Sequence, residues 1–496
     1  MSSTANLIAF DLGAESGRAV VGQLDGDKLT LAELHRFANG PVRILGHLHW
    51  DVLRLFAEMR AALGLYVREY GSAADGMGVD TWGVDFALLD KQGNLLGNPY
   101  HYRDVRTEGM YEEVFKRVPR DEVFARTGIQ FMEINTLYQL YSMVLTRSPL
   151  LEVADTLLMI PDLFNFWLTG RKACEFTEAT TSQFYDPRQR DWSWALFDQL
   201  GMPKHILTEI IPPGTVLGPL HVSLAEDVGL QGVPVIAPAG HDTGSAVAAV
   251  PARGEYYAYI SSGTWSLLGT VVNEPLITPK SLAYNFTNEG GVGGTFRFLK
   301  NIMGLWLVQE CRRTWADAGE EYSYDDLTAL AMKAPPFQAV VDPDAELFLR
   351  PGDMPARIRE FCIKTGQQPP ETVGAIVRTV LESLALKYRW TIHSMEEITG
   401  RRVESVHIVG GGARNKLLNQ LTADATGLPV TAGPFEATAI GNILMQALAR
   451  GYIASLEEGR ELVRRSFDVT TYEPQPSAEW EDAYQRFLHI TTEKTG

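Results

Sequence analysis

The sequence predicts an α/β protein of two domains, and three observations carry that prediction. Its 496 residues, 45% of them hydrophobic, exceed the ~250–300 residues beyond which a single core stops growing. Strand, helix and strand alternate in both halves, a pattern that places ligands at the carboxyl ends of strands. Two stretches half a chain apart also share one design: a short apolar run, a turn of small residues and a second apolar run. They are Leu7 to Gly22, turning through Gly13-Ala14-Glu15-Ser16-Gly17-Arg18, and Tyr257 to Gly269, turning through Ser262-Gly263-Thr264. Both predict a strand-turn-strand hairpin whose glycines admit close backbone approach and whose N–H groups form an anion-binding concavity.

Along the first half, Leu53 to Tyr70 carries apolar residues at helical spacing, and Gly76 to Gly83 reads as a strand ending in a loop. Helices are predicted over residues 110–117, 135–146 and 150–168, the last closed by Thr169-Gly170. Val233 to Gly240 reads as a buried strand running into a loop, and Pro251-Ala252-Arg253-Gly254 marks a boundary between domains 1–250 and 251–496. In the second half, Gly290-Gly291-Val292-Gly293-Gly294 reads as a hairpin turn, and Leu299 to Gln309 as a helix presenting Asn301 and Gln309 on its turns. Thr372 to Ile398 is a long helix with Ile376, Val380, Leu384, Tyr388, Ile392 and Met395 near one face, stopped by Gly400. A strand over 406–409 then leads through Gly410-Gly411-Gly412 into a helix over 415–426, a strand over 428–431 and a helix over 437–450.

A net charge of -17 argues against nucleic acid or an anionic membrane as partner, since both repel such a chain. Any phosphate site must be local. Cys174, Cys311 and Cys362 are too scattered for a disulfide framework or a metal site. The amino end lacks a basic leader and no apolar run is long enough to span a membrane, so the chain reads as soluble and cytoplasmic. The P-loop and the protein-kinase motifs are absent, and Asn415 stands where a dinucleotide fingerprint needs its third glycine.

Asp11 ends a buried strand directly before a small-residue turn, where a carboxylate can hold Mg²⁺ beside phosphates or simply bond its own turn. In Gly240-His241-Asp242-Thr243-Gly244-Ser245, Asp242 lies just past a buried strand and shortly before the second hairpin. It is placed to accept a proton from an attacking hydroxyl, or else to cap the helix that follows. Asp80-Thr81-Trp82-Gly83-Val84-Asp85-Phe86 combines carboxylates with a flat aromatic, which suits a polyol; Trp82 as ordinary core is the competing reading. His101-Tyr102-Arg103-Asp104 is similarly open, because Arg103 and Asp104 can pair with each other at the surface.

The ordered series Asp11-Leu12-Gly13, Gly240-His241-Asp242-Thr243, Ser261-Ser262-Gly263-Thr264-Trp265, Gly410-Gly411-Gly412 and Glu436-Ala437-Thr438-Ala439-Ile440-Gly441-Asn442 resembles the FGGY carbohydrate kinases. The resemblance implies two actin-like, ribonuclease-H-like domains with an interdomain cleft, and phosphorylation of a small ketose by ATP with Mg²⁺. It implies Asp242 as catalytic base, with Gly83, His241, Asp242, Thr243 and Asn301 binding the sugar. It further implies Ala14, Glu15, Ser16, Gly17, Arg18, Thr264, Gln309 and Gly411 as nucleotide contacts and Asp11 as the metal carboxylate. On this reading the first domain carries the sugar site, the first phosphate hairpin and the base, and the second binds the nucleotide. Many family members carry Ala where Asn442 stands. No nucleic acid or membrane partner is implied, and the chain is expected as a monomer or small homo-oligomer. Kinases of several deoxy-ketoses share this scaffold, and an actin-like ATPase without sugar transfer is the alternative class.

Overall fold

The computed structural model describes residues 4–475 and 477–492. It divides into two compact units, one of Met1–Pro251, Val271–Phe298 and Ala437–Phe467, the other of Ala252–Thr270, Leu299–Glu436 and Asp468–Gly496.

The first unit is built on a six-stranded sheet in the order Thr215–Pro219, Pro234–Ala237, Gly76–Thr81, Ala5–Leu12, Ser16–Asp25, Lys28–Ala38. The three strands Pro234–Ala237, Gly76–Thr81 and Ala5–Leu12 run parallel. Ala5–Leu12 then turns back on Ser16–Asp25, pairing Asp11 with Arg18 and Leu12 with Gly17. A parallel strand covered on both faces reads as a continuous apolar run, which explains Leu7-Ile8-Ala9-Phe10. Ile8, Phe10 and Leu12 share a core with Leu55, Met59, Leu63 and Tyr66 of the helix Val52–Tyr70. The opposite face is covered by the helix Ala437–Ala449, and small residues let it approach. A Cβ at Gly22 would lie 2.5 Å from Ile443 Cδ1, and one at Gly78 would lie 2.6 Å from Asn442 Oδ1.

The expected helix over 150–168 is corrected. Pro149–Val153 forms one short turn of helix, Thr156–Met159 is a strand antiparallel to Phe86–Leu89, and a new helix spans Ile160–Thr169. The strand alternates between two cores, Leu158 in one and Leu157 and Met159 in the other. Pro161 in the first turn suits the restart of the helix.

In the second unit the strand that ends at Met303 is followed across the sheet by Trp265–Val272, Tyr257–Ser262, Ser405–Val409, Val430–Ala432 and Thr470–Tyr472. Tyr257–Ser262 pairs antiparallel with Trp265–Val272 and parallel with Ser405–Val409, which is parallel to Val430–Ala432. Each unit therefore repeats one plan, a hairpin followed by two parallel strands. The long helix spans Val373–Thr399, with Thr372 capping its start and Gly400, in the left-handed region, its end.

The expected helix Leu299 to Gln309 is also corrected. Phe296–Met303 is a strand and the helix begins at Trp306, running to Asp317. All but Asn301 of the strand is buried, Arg297 and Lys300 included, so both faces are covered and no alternation of apolar and polar residues distinguishes strand from helix. Gly304 ends it because its backbone lies against the second hairpin, where a Cβ would be 2.6 Å from Ser266 Oγ.

Candidate active site

The three parallel strands of the first unit bring together three carboxylates that are distant in sequence. Asp11 and Asp80 are paired across neighbouring strand ends, and Thr81 bridges to His241, with Thr81 N donating to Gly240 O at 2.8 Å. Arg18 Nη2 and Nε donate to Asp11 Oδ2 at 2.6 and 2.9 Å. Asp80 is fully buried and accepts from Asn442 Nδ2 at 2.5 Å. Burial first, and the Asp11 charge second, push its carboxyl well above the ordinary range.

Asp242 is the first residue of the helix Asp242–Ala248, whose capping residue is His241 without a side-chain cap bond. The capping alternative for Asp242 is thereby removed. Its half-buried carboxylate accepts from Thr243 Oγ1 at 3.1 Å and lies 3.5 Å from His241 Nε2. Burial raises its pKa, the His241 ring opposes that, and the Asp11 charge adds to it.

The loop carrying this group is held from below by residues that sequence reasoning missed. Glu175 Oε2 accepts from Gly240 N at 2.8 Å, Thr177 N at 3.0 Å and Thr177 Oγ1 at 2.5 Å, while Thr177 Oγ1 accepts from His241 N at 3.0 Å. Burial lifts Glu175 to about 7. Glu175 is also the cap of the helix Phe176–Thr181, and the capping pattern was the one local signal available. His241 in turn lies beside Gly83, where a Cβ would be 3.0 Å from Thr181 Cγ2 and 3.3 Å from His241 Nε2.

Trp82 resolves to core. It is buried, its ring centroid is 3.9 Å from that of Trp50, and both indoles donate to Asp85 Oδ2. Asp104 accepts from Leu48 N at 2.7 Å and Arg106 N at 3.0 Å and caps the turn that follows, so it is a buried structural acceptor.

The first hairpin turn is pinned by Gly13 N to Ser16 O at 2.9 Å and clamped by Asn39, whose N reaches Glu15 O at 2.9 Å and whose Nδ2 reaches Gly13 O at 2.8 Å. Gly17 is required sterically, since a Cβ would fall 2.3 Å from the Phe37 ring. Glu15 is exposed and Ala14, Ser16 and Arg18 are half-buried, so this edge stays open to a ligand.

The second unit gathers Thr264, Asn301, Gln309 and Gly411 around its own hairpin. Gly304 N and Trp306 N donate to Thr264 O at 3.1 and 3.2 Å, seating the turn on the start of the helix that carries Gln309. Asn301 is half-buried on the strand before it. Gly412 packs onto Ser262, where a Cβ would be 2.1 Å from Oγ, whereas a Cβ at Gly411 would meet nothing within 4 Å. Gly411 thus offers an open backbone surface beside the turn.

Among the described residues no group of three or more His, Cys, Asp or Glu forms a metal cage. Mg²⁺ bound with phosphates needs only one or two carboxylates, and Asp11 at its strand end fits that demand. Among the described residues no helix is long and apolar enough to cross a membrane.

The N-terminal domain model of the FGGY family of carbohydrate kinases matches residues 6–249, and the C-terminal domain model matches residues 258–450. The chain belongs to the FGGY family of carbohydrate kinases. As an FGGY kinase it is a sugar phosphotransferase that takes ATP. It is 45% identical over 482 residues to a rhamnulokinase of Bacteroides thetaiotaomicron, covering 97% of this chain and 98% of that protein. It is 43% identical over 465 residues to a rhamnulokinase of Oceanobacillus iheyensis, covering 94% and 97%. In fold it matches a xylulose kinase from Lactobacillus acidophilus with a TM-score of 0.80 at 17% identity, covering 99% of this chain and 97% of that one. A Plasmodium falciparum glycerol kinase with ADP gives 0.77 at 15% identity, covering 99% and 98%. The two-domain α/β fold of sugar kinases is therefore that of this FGGY kinase.

Proposed function

We propose that the chain is a rhamnulokinase, transferring the γ-phosphoryl group of ATP to the 1-hydroxyl of L-rhamnulose. The similarity to rhamnulokinases along nearly the whole chain supports the sugar. The observation that carries the chemistry is Asp242: a half-buried carboxylate at the start of the helix that follows the inner strand Pro234–Ala237, released from capping and raised in pKa towards the range of a base. Asp242 orients the primary hydroxyl and takes its proton as the oxygen attacks phosphorus, and ADP leaves. Gly83, His241, Thr243 and Asn301 bind the ketose, and Thr177 and Glu175 keep the loop in place. Residues 1–250 supply the sugar site, the first phosphate hairpin and the base, and residues 251–496 bind the nucleotide. Ala14 to Arg18 and Thr264, Gln309 and Gly411 contact the nucleotide, chiefly through backbone N–H groups. Mg²⁺, held through Asp11, neutralises phosphate charge when bound. The enzyme works in the cytoplasm, where ATP is at hand, and acts as a monomer or small homo-oligomer.

The test is ADP release measured over L-rhamnulose, L-fuculose, L-xylulose and L-ribulose side by side. The highest kcat/KM is expected with L-rhamnulose. A higher value with another ketose would reassign the substrate, and sugar-independent hydrolysis at the sugar-stimulated rate would make the chain an ATPase. Asp242→Asn is expected to keep nucleotide binding while turnover falls about 10²–10⁴-fold, the usual contribution of a positioned base; near-normal turnover would remove Asp242 from that role.

A further inference from the structure

We propose that Arg297 is a positioning residue that fixes the tautomer of His241, so that the ring presents Nε2–H as a donor beside Asp242. Arg297 is fully buried; its Nε donates to Gly290 O at 2.7 Å and its Nη2 lies 3.0 Å from His241 Nδ1. A guanidinium has five N–H donors and no acceptor, so Nδ1 accepts and the proton of the neutral ring sits on Nε2. The competing group is Glu289, whose Oε2 is 3.4 Å from His241 Nδ1 and 3.2 Å from Arg297 Nη2. With Arg297 present the guanidinium faces both. Without it, Glu289 draws the proton to Nδ1.

The other nitrogen faces the chemistry, being 3.5 Å from Asp242 Oδ1 and next to Gly83. In the Nε2–H form the positive end of the N–H dipole faces the carboxylate 3.5 Å away, and the proton is available to a ketose oxygen that can only accept, a carbonyl or ring oxygen. In the opposite form a lone pair would face that carboxylate and repel it. The ion pair with Glu289 does not by itself account for the arginine, because it leaves Arg297 Nη1 buried without a hydrogen-bond partner, a costly place for a charge. Positioning of the ring does. The role in substrate reading rests on the assignment of this loop as the ketose site.

The experiment is a long-range ¹H–¹⁵N correlation of the imidazole rings in the full-length, ¹⁵N-histidine-labelled protein without sugar, at a pH where the rings are neutral. His241 is identified by the signals lost in His241→Gln. An unprotonated Nδ1 and a protonated Nε2 are expected. In Arg297→Met the proton is expected to move to Nδ1 and kcat/KM for the ketose to fall about tenfold or more with the KM for ATP unchanged, the size of a lost charge-assisted hydrogen bond. Arg297→Lys, which restores one donor, is expected to recover part of both. A wild-type His241 protonated on Nδ1 overturns the proposal, and so does a folded Arg297→Met variant that keeps the Nε2–H pattern and full ketose kcat/KM. The spectrum needs no substrate, so a different winner in the ketose panel leaves this result standing.

Discussion

Asp85 gathers four N–H donors onto one buried carboxylate: Trp50 Nε1 at 2.5 Å, Gln139 Nε2 at 2.8 Å, Trp82 Nε1 at 3.0 Å and the Tyr102 backbone at 3.2 Å. Burial outweighs these bonds and lifts its pKa to about 6. A carboxyl raised in the fold binds its proton more tightly there than in the unfolded chain, so its contribution to stability is present at low pH and is lost as pH rises from about 4 to 6. Two indoles share this carboxylate, so their fluorescence is expected to titrate with a midpoint near 6, and Asp85→Asn to abolish the transition. A flat emission profile between pH 5 and 7 would show that Asp85 stays in one state. Glu175 is the comparable acceptor under the loop that carries Asp242. Glu175→Gln can keep its oxygen where Oε2 accepts three bonds, but it puts an NH₂ where Oε1 is buried without a partner, leaving a buried N–H unmet at about 1–3 kcal/mol. The expected result is a fall in kcat larger than any change in the KM for ATP, and equal changes in both would point to general unfolding.

At the scale of elements, glycines decide what may approach what. The helix Ala437–Ala449 meets the helix Asp242–Ala248 through Gly441, where a Cβ would lie 1.7 Å from Ser245 O. Backbone cannot yield cheaply, so Gly441→Ala is expected to destabilise by about 1–3 kcal/mol and to lower kcat by displacing the helix that begins with Asp242. Gly411→Ala is the contrast, because its Cβ would meet nothing within 4 Å. Thermal unfolding is expected to stay unchanged while the KM for ATP rises; an unchanged KM would remove Gly411 from the nucleotide site. Local chemistry made some of these elements readable in advance. The hairpin at Gly13 announces itself by small residues between apolar runs, and the helix Val373–Thr399 by its stripe and its stop at Gly400. The strand Thr156–Met159 and, from Leu299 on, the strand Phe296–Met303 read as helix in the sequence because their burial on two faces erases the period of 2. Of the site, Asp242 and its loop were visible as a carboxylate beyond a strand. Glu175, 65 residues from Gly240, and Arg297, 56 residues from His241, were not, since their roles exist only through pairings that the fold creates.

The first unit is not one continuous stretch of chain. It takes its last two helices, Ala437–Ala449 and Leu456–Ser466, from Ala437–Phe467, and that segment contributes polar bonds as well as cover. Gln446 Nε2 donates to Ile8 O at 2.9 Å, and Tyr452 OH to Asp75 Oδ1 at 2.8 Å. A fragment of residues 1–250 would leave one face of the sheet Leu7-Ala9-Asp11 bare and Asp80 without the Asn442 bond. It is expected to bind a hydrophobic dye and to lack a cooperative unfolding transition, and a sharp transition in that fragment would show that the late helix is dispensable. The bond between Asn442 and Asp80 joins residues 362 positions apart. At a synthesis rate of about 5–20 residues per second, roughly 20–70 s separate the emergence of its two ends from the ribosome. For that interval the nascent chain holds an open apolar face in a crowded cell. Premature termination between residue 250 and the helix Ala437–Ala449 would therefore release a polypeptide with the strand ends at Asp11 and Asp80 already made and no lid on the back of the sheet, a natural client for chaperones and proteases.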